Sequence, residues 1–192
     1  EGLVDDLRRF AIACQLIELL DRFTPDREAH PELFRFACGT LRVLREERPD
    51  RLLAVLVTTK TLAWLGYRPQ LVRCAKCGRD LALLEHVVFE PSEGGAACGA
   101  CAELPDARVP SALLAAIERG IRSPLRARLQ LGPGDAQVRM AERLLERFFR
   151  YHVGLELRSA EFLEGALRSR EPALDAALPP GDTAREPAQC VH

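Results

Sequence analysis

The 192-residue sequence predicts a mainly α-helical protein: a helical bundle with one inserted four-cysteine ribbon or knuckle that contains a short β-hairpin. Three observations predict it. Apolar residues recur at steps of three and four on both sides of the cysteine segment, the spacing of helices that bury one face. Four cysteines stand as two C-x2-C pairs, Cys74 with Cys77 and Cys98 with Cys101. Between the pairs, "HVVFEPSEGGAAC" reads as a strand, a turn at Pro91 to Gly95, and a returning strand.

The elements follow in chain order. Leu3, Leu7, Phe10, Cys14 and Ile17 form the first stripe, so residues 2–22 are expected to be helix with that face against a partner. Thr24-Pro25 breaks the chain, which restarts after His30 with Pro31 suited to a first helical position and Glu32 to the first turn. Phe34, Ala37, Leu41 and Leu44 give a second stripe, stopped by Pro49. Asp50 can cap a third helix whose apolar face runs through Leu52, Val55, Leu56, Thr59, Leu62 and Ala63. Gly66 and Pro69 end it, because Gly allows a left-handed closing residue and Pro cannot continue the ladder. Helix resumes at Pro110-Ser111 on Leu113, Leu114 and Ile117; Gly132-Pro133-Gly134 precedes a helix over 135–152, and a short one covers 159–168. The division expected is 1–71 for the first helical part, 72–106 for the cysteine module, 107–170 for the second helical part, and a tail at 171–192. That tail is rich in Pro, Ala and acid and has too little apolar surface to offset the entropy of ordering it, so disorder is expected there.

One main domain is the default at this length. With 47% apolar and 29% charged residues the composition is that of a soluble globular protein. No apolar run reaches the roughly 18 residues of a membrane span, and no signal-peptide pattern opens the chain, so a cytoplasmic protein is expected. The chain starts at Glu1 rather than Met, on residues that already look helical, and an upstream portion is expected. The formal charge of −1 hides an asymmetry: residues 119–170 carry 11 Lys+Arg against 6 Asp+Glu, whereas 1–118 carry 15 against 18 and 171–192 carry 1 against 4. A polyanion would meet the basic stretch. Of 27 basic residues only Lys60 and Lys76 are lysines; a GC-rich genome favouring Arg codons would be enough to produce that skew, so arginine abundance alone is not evidence for nucleic acid.

The spacing C-x2-C-x20-C-x2-C matches a tetrahedral zinc site, because a two-residue spacer lets one tight turn aim both thiolates at a single ion. Gly78 and Gly99 follow the two turns, where a positive φ is wanted. Disulfides do not suit a chain of cytoplasmic character, and a redox dithiol normally carries one C-x-x-C beside a βαβ pattern. An iron–sulfur cluster also uses four thiolates; the ribbon-like strands between the pairs favour zinc. Four thiolates close the shell and leave no position for a catalytic water. A zinc deaminase needs H-x-E with P-C-x-x-C, yet Val87-Val88 follow His86, and Arg73 and Ala97 precede the cysteine pairs. A structural zinc supplies roughly 10 to 16 kcal/mol of apparent free energy, so its removal is expected to unfold the segment while the helices persist.

The remaining thiols and imidazoles suggest no catalytic set. Cys14 and Cys38 are expected as small core fillers and Cys190 in the tail. His30 reads as a helix start, His86 as strand surface, His152 as a helix end and His192 as tail. An enzyme is therefore not expected. Arg139, Arg143, Arg147 and Arg150 share an arc of about 80° on a 3.6-residue helix, with Met140, Ala141, Leu144 and Phe148 opposite. Such a stripe is either a solvated face tempered by Glu142 and Glu146 or a track for phosphates, extended by Arg119, Arg122, Arg126 and Arg128. Stacking aromatics are few: Tyr151 is near, and Phe148 and Phe149 point mostly inward.

Three ordered stretches carry a family resemblance: "LGYRPQLVRCAKCGR", "FEPSEGGAACGAC" and "YHVGLELRSAEFL". The chain resembles the C-terminal part of the RecO family of bacterial recombination-mediator and DNA-repair proteins, over roughly residues 1–168. The resemblance implies a helical domain with an inserted zinc module and a non-catalytic role. That role is to work with RecR and RecF in loading recombinase on single-stranded DNA coated by single-strand-binding protein, in the bacterial cytoplasm at the nucleoid. It implies Cys74, Cys77, Cys98 and Cys101 as ligands of a structural Zn2+, and an upstream OB-fold of the kind that binds single strands. Arg158 stands where the family commonly has Lys, which preserves charge but not geometry. The rival reading is a zinc-ribbon protein-interaction or transcription-type module on a helical scaffold that does not touch DNA.

Overall fold

In the computed structural model, which describes residues 2–24, 29–103, 108–154 and 157–168, nine regular elements follow one another. They are α1 (Leu7–Phe23), α2 (Pro31–Glu46), α3 (Arg51–Trp64), β1 (His86–Glu90), β2 (Gly95–Ala97), β3 (Arg108–Pro110), α4 (Ser111–Arg122), α5 (Asp135–Val153) and α6 (Arg158–Arg168). Short 3-10 turns lie at Pro91–Glu93 and Leu125–Gln130. The fold is the mainly helical one expected. Pro25, the tail from 171 on, Cys190 and His192 lie outside the described residues.

α3 is the axis. It is buried without interruption from Leu52 to Val57 and again at Thr59, Thr61 and Leu62, because α1, α4 and α5 all pack on it. Its buried hydroxyls bond back to the preceding turn, Thr59 to the Val55 carbonyl at 2.6 Å and Thr61 to that of Val57 at 2.7 Å, so no polar group is orphaned there. Asp50 caps this helix as expected, accepting from the Leu53 N–H at 2.7 Å. On α4, a side chain added at Gly120 would come within 2.3 Å of Leu56, which is how closely α4 lies on the axis.

Three helical expectations are corrected. α1 starts at Leu7, not at residue 2, because the Asp6 carboxylate accepts from the N–H groups of Arg8 and Arg9 and fixes the first turn there. Its buried face is Ala11, Ile12, Gln15, Leu16 and Leu19; of the expected stripe, Leu7, Phe10 and Ile17 are 51%, 40% and 50% exposed. Likewise α2 buries Leu33, Ala37, Thr40, Val43 and Leu44 and leaves Phe34 outside. Both helices are apolar over more than one stripe, and the contacts of α1 with α6 and α3 choose which stripe goes in. Nor do both free thiols fill core: Cys14 is half-buried and Cys38 is exposed.

The hairpin forms as read, β1 with β2 antiparallel and Phe89 opposite Ala96. A third strand, β3, pairs on the other edge of β1 with Val87 opposite Val109, giving the order β2-β1-β3. It was not foreseen: three residues with one valine carry no alternation signal. The inner face of this sheet is continuous with the helical core, with the Phe89 ring 6.3 Å from that of Phe148 on α5. The N-terminus of α6 is met by a group from far along the chain. Glu18, on α1, accepts from the Arg158 N–H at 2.9 Å and the Ser159 N–H at 2.8 Å and closes that helix end from a distance. Among the described residues no helix is long and apolar enough to cross a membrane.

Candidate metal centre

Each cysteine pair sits on a tight turn. At the first, the Gly78 N–H donates to the Cys74 carbonyl at 2.8 Å, and Gly78 takes a φ of 74° that only a residue without Cβ adopts freely. At the second, the N–H groups of Cys101 and Ala102 donate to the Cys98 carbonyl at 2.9 and 3.0 Å. Gly99, expected to share the left-handed geometry, does not take it; this turn closes without a positive φ at that position. The two turns are brought together by the hairpin and by the strand leading into Cys74. The Gln70 N–H donates to the Gly94 carbonyl at 2.9 Å, and the Ala96 and Ala75 N–H groups donate to the carbonyls of Gln70 and Ala96 at 2.7 and 2.8 Å. A Cβ on Gly95 would stand 2.1 Å from the Gln70 oxygen, so only glycine permits this approach.

The result is that the four Sγ atoms of Cys74, Cys77, Cys98 and Cys101 all lie within 4.8 Å of one another. The Cys77 and Cys98 sulfurs are 3.8 Å apart, and the edge of a tetrahedron with zinc–sulfur bonds of about 2.3 Å is also about 3.8 Å. All six described cysteines are free thiols rather than disulfides. The donor set therefore fits zinc. Burial resists ionisation of Cys74, but backbone N–H groups of Cys77, Cys98 and Lys76 outweigh it and bring that thiol down to about 6. Cys101, packed against the sulfurs of Cys98 and Cys77, is pushed up to about 12. Four thiolates so close together repel one another, and a divalent ion held among them would stabilise all four charges.

Around the sulfurs lies a second set of groups that sequence reasoning missed. The Lys76 ammonium stands 2.7 Å from Glu103, 3.5 Å from Glu93 and 3.9 Å from Glu90. Glu90, buried in β1, accepts from the Glu103 N–H at 2.6 Å. Lys76 thus ties the first turn to the hairpin and to the second turn, and places a positive charge beside a cage that carries net negative charge with zinc bound. Its position inside C-A-K-C was the available signal.

The arginines divide. Arg139, Arg143, Arg147 and Arg150 lie exposed on α5, opposite buried Ala141, Leu144 and Phe148, as the periodicity indicated. Arg119 and Arg122 occupy the last turn of α4, where Arg122 donates to Glu118 at 2.7 Å. Arg126 pairs with Glu46 and with Glu47. Arg128 is 3% exposed and its guanidinium is taken up by Glu47, by Asp50 at 2.9 Å and by the Arg48 carbonyl at 2.9 Å. Such a group pins the 3-10 turn to the α2–α3 connection and is out of reach of a phosphate. His30 stands at the residue before α2, His86 opens β1 at the surface, and His152 Nε2 lies 2.8 Å from the Pro91 carbonyl, joining α5 to the hairpin turn.

Fold and site together define a class: a helical domain with a built-in knuckle of four cysteines whose sulfurs are placed to hold a metal ion such as zinc. Residues 4–161 match the family model described as "Recombination protein O C terminal", and the chain belongs to that family. It is similar to the DNA repair protein RecO of Roseiflexus sp. (strain RS-1), at 33% identity over 178 residues, covering 90% of this chain and 62% of the relative. It is also similar to the DNA repair protein RecO of Myxococcus xanthus (strain DK1622), at 34% over 166 residues, 83% of this chain and 63% of the relative. A third relative, the DNA repair protein RecO of Desulfitobacterium hafniense (strain Y51), is 38% identical over 96 residues, 50% of this chain and 34% of that protein. The chain thus spans just over three fifths of the length of the first two relatives, 62% and 63%.

Proposed function

We propose that this chain is the zinc-stiffened docking part of a non-catalytic DNA-repair and recombination mediator. In this reading it acts with RecR and RecF to help load recombinase on single-stranded DNA coated by single-strand-binding protein, in the cytoplasm at the nucleoid. The observation that carries the reading is family membership over residues 4–161 together with a gathered set of four cysteine sulfurs, the one such set of metal ligands among the described residues. Zinc held on four sides by thiolate offers no open position to water or substrate, so it fixes the knuckles and performs no reaction. The exposed α5 arginines supply a surface for phosphates, with Arg119 beside Arg122 on α4; Arg128 is not part of it.

Capture of purified RecR and single-strand-binding protein by this chain tests the docking role; binding to neither favours an interaction module unrelated to repair. For the DNA surface, anisotropy of a labelled oligothymidylate against salt is the measurement. Four arginine–phosphate contacts give a log–log slope near −3, at about −0.7 per contact with a single strand. A flat response removes α5 as a DNA surface.

A further inference from the structure

The segment from Arg68 to Arg73 and the last turns of α4 face each other across a cleft of about 300 Å3, lined by Arg68, Gln70, Arg73, Glu118 and Arg122 among others. Three arginines line it against one carboxylate. Glu118 is 7% exposed, and a single oxygen of it accepts from Arg68 Nη2 at 2.5 Å and Arg122 Nε at 2.7 Å. A guanidinium has five N–H donors, and Glu118 takes one from each of the two. Among the described residues Arg73 reaches only the Gly78 carbonyl, at the 3.5 Å limit of a hydrogen bond. The C-terminal dipole of α4 accounts for basic residues in its last turn, but not for Arg68 and Arg73, which come from the opposite wall.

That wall is fixed. Gln70 is hydrogen-bonded on both sides to the hairpin, at Gly94 and Ala96, and Gly95 lies against its backbone. Glu118 anchors two of the arginines in place. Arg68 and Arg122 are therefore positioned before any ligand arrives, which reduces the ordering cost of binding, and Arg73 stands on the fixed wall beside them. Forked, planar donors on both walls of one cleft, with an excess of positive charge, suit a phosphate oxyanion.

We propose that this cleft is an oxyanion site that takes a phosphate group of a nucleic-acid strand, with Arg68, Arg73 and Arg122 as its donors. It rests on the DNA-surface reading given above and adds to it a contact point outside α5, on the junction between the knuckle and the helical body.

Two probes test it on the full chain. In nitrogen-15 spectra, inorganic pyrophosphate alone is expected to shift the Nε–H resonances of Arg68, Arg73 and Arg122; no shift overturns the site. In the oligothymidylate assay, Arg73→Gln and Arg68→Gln are each expected to weaken binding and lower the steepness of the salt dependence by about 0.7. Arg73→Gln breaks no ion pair, and an unchanged melting curve shows that it folds. Arg35→Gln, on the exposed face of α2, controls for net charge, and an equal loss there overturns the proposal. Loss of slope in α5 variants with none in the cleft variants leaves the DNA surface standing and removes the cleft. Pyrophosphate binding in a chain that does not bind the oligonucleotide overturns the nucleic-acid assignment in both places.

Discussion

Around α3, side chains of the neighbouring helices bury Leu53, Leu56 and Leu62 almost completely, whereas the two cysteine turns leave Cys77 exposed and Cys101 half-covered. The helical body is held by apolar area removed from water. The turns have little such area and depend on four sulfurs and on the ammonium of Lys76. The division between these two regimes does not fall where the chain enters and leaves the cysteine segment. It runs through the hairpin, because the inner face of β1 contributes Val87 and Phe89 to the helical core while the ends of the sheet feed the knuckles. The four-cysteine segment is thus half a candidate metal site and half a wall of the helical core.

The largest test of this division is removal of the metal. Chelation withdraws a binding free energy of roughly 10 to 16 kcal/mol from the turns and none from the α3 core. Hydrogen exchange is expected to rise steeply at 74–79 and 98–103, less in β1, and little in α1, α3 and α5. Equal loss of protection in α3 breaks the comparison. Next in size is Phe148→Ala, which empties the contact between α5 and Phe89; a buried Phe→Ala change costs about 3 to 5 kcal/mol. Denaturant unfolding is expected to show that loss with zinc still bound. A variant that releases zinc at the same denaturant concentration as the parent, despite the lost stability, places the hairpin wholly on the metal side.

The smallest effect lies far from the knuckles. Burial works against the charge on Glu18, but the N–H groups of Ser159 and Arg158, with Arg22, outweigh it and hold its carboxyl below the usual value. A group depressed in the folded state contributes stability above its unfolded pKa, about 4.3, and loses it as pH falls through the folded value. Glu18→Gln is therefore expected to cost about 1 kcal/mol at pH 7, as for a lost helix cap, and the difference from the parent is expected to shrink as pH is lowered below about 4. A difference that does not change with pH means the cap acts by shape alone.

Most of the metal site was legible in the residues, since two C-x2-C pairs and a Pro-to-Gly-Gly turn specify local geometry that needs no partner. The cap of α6 was not legible, because its acceptor is Glu18, on the far side of the sequence, while the residue before the helix is Leu157. Arg128 read as one more surface cation; only the carboxylates of Glu47 and Asp50, brought from α2 and α3, show why it is buried. α1 and α2 were read as helical correctly, but the stripe given for α1 lies largely outside, and that for α2 buries Ala37 and Leu44 while leaving Phe34 out, for a helix apolar on two sides does not state which one its neighbours will cover.

By itself, then, the sequence determined which segments coil, where they stop, and that four thiols converge, because period, caps and turn residues act over a few neighbouring positions. Tertiary structure alone decided which faces are buried, which arginines remain in water, and that β3 completes the sheet. Those outcomes are set by groups many residues apart competing for the same contacts, and the winner is whichever arrangement leaves the fewest charges and backbone groups unpaired in the interior.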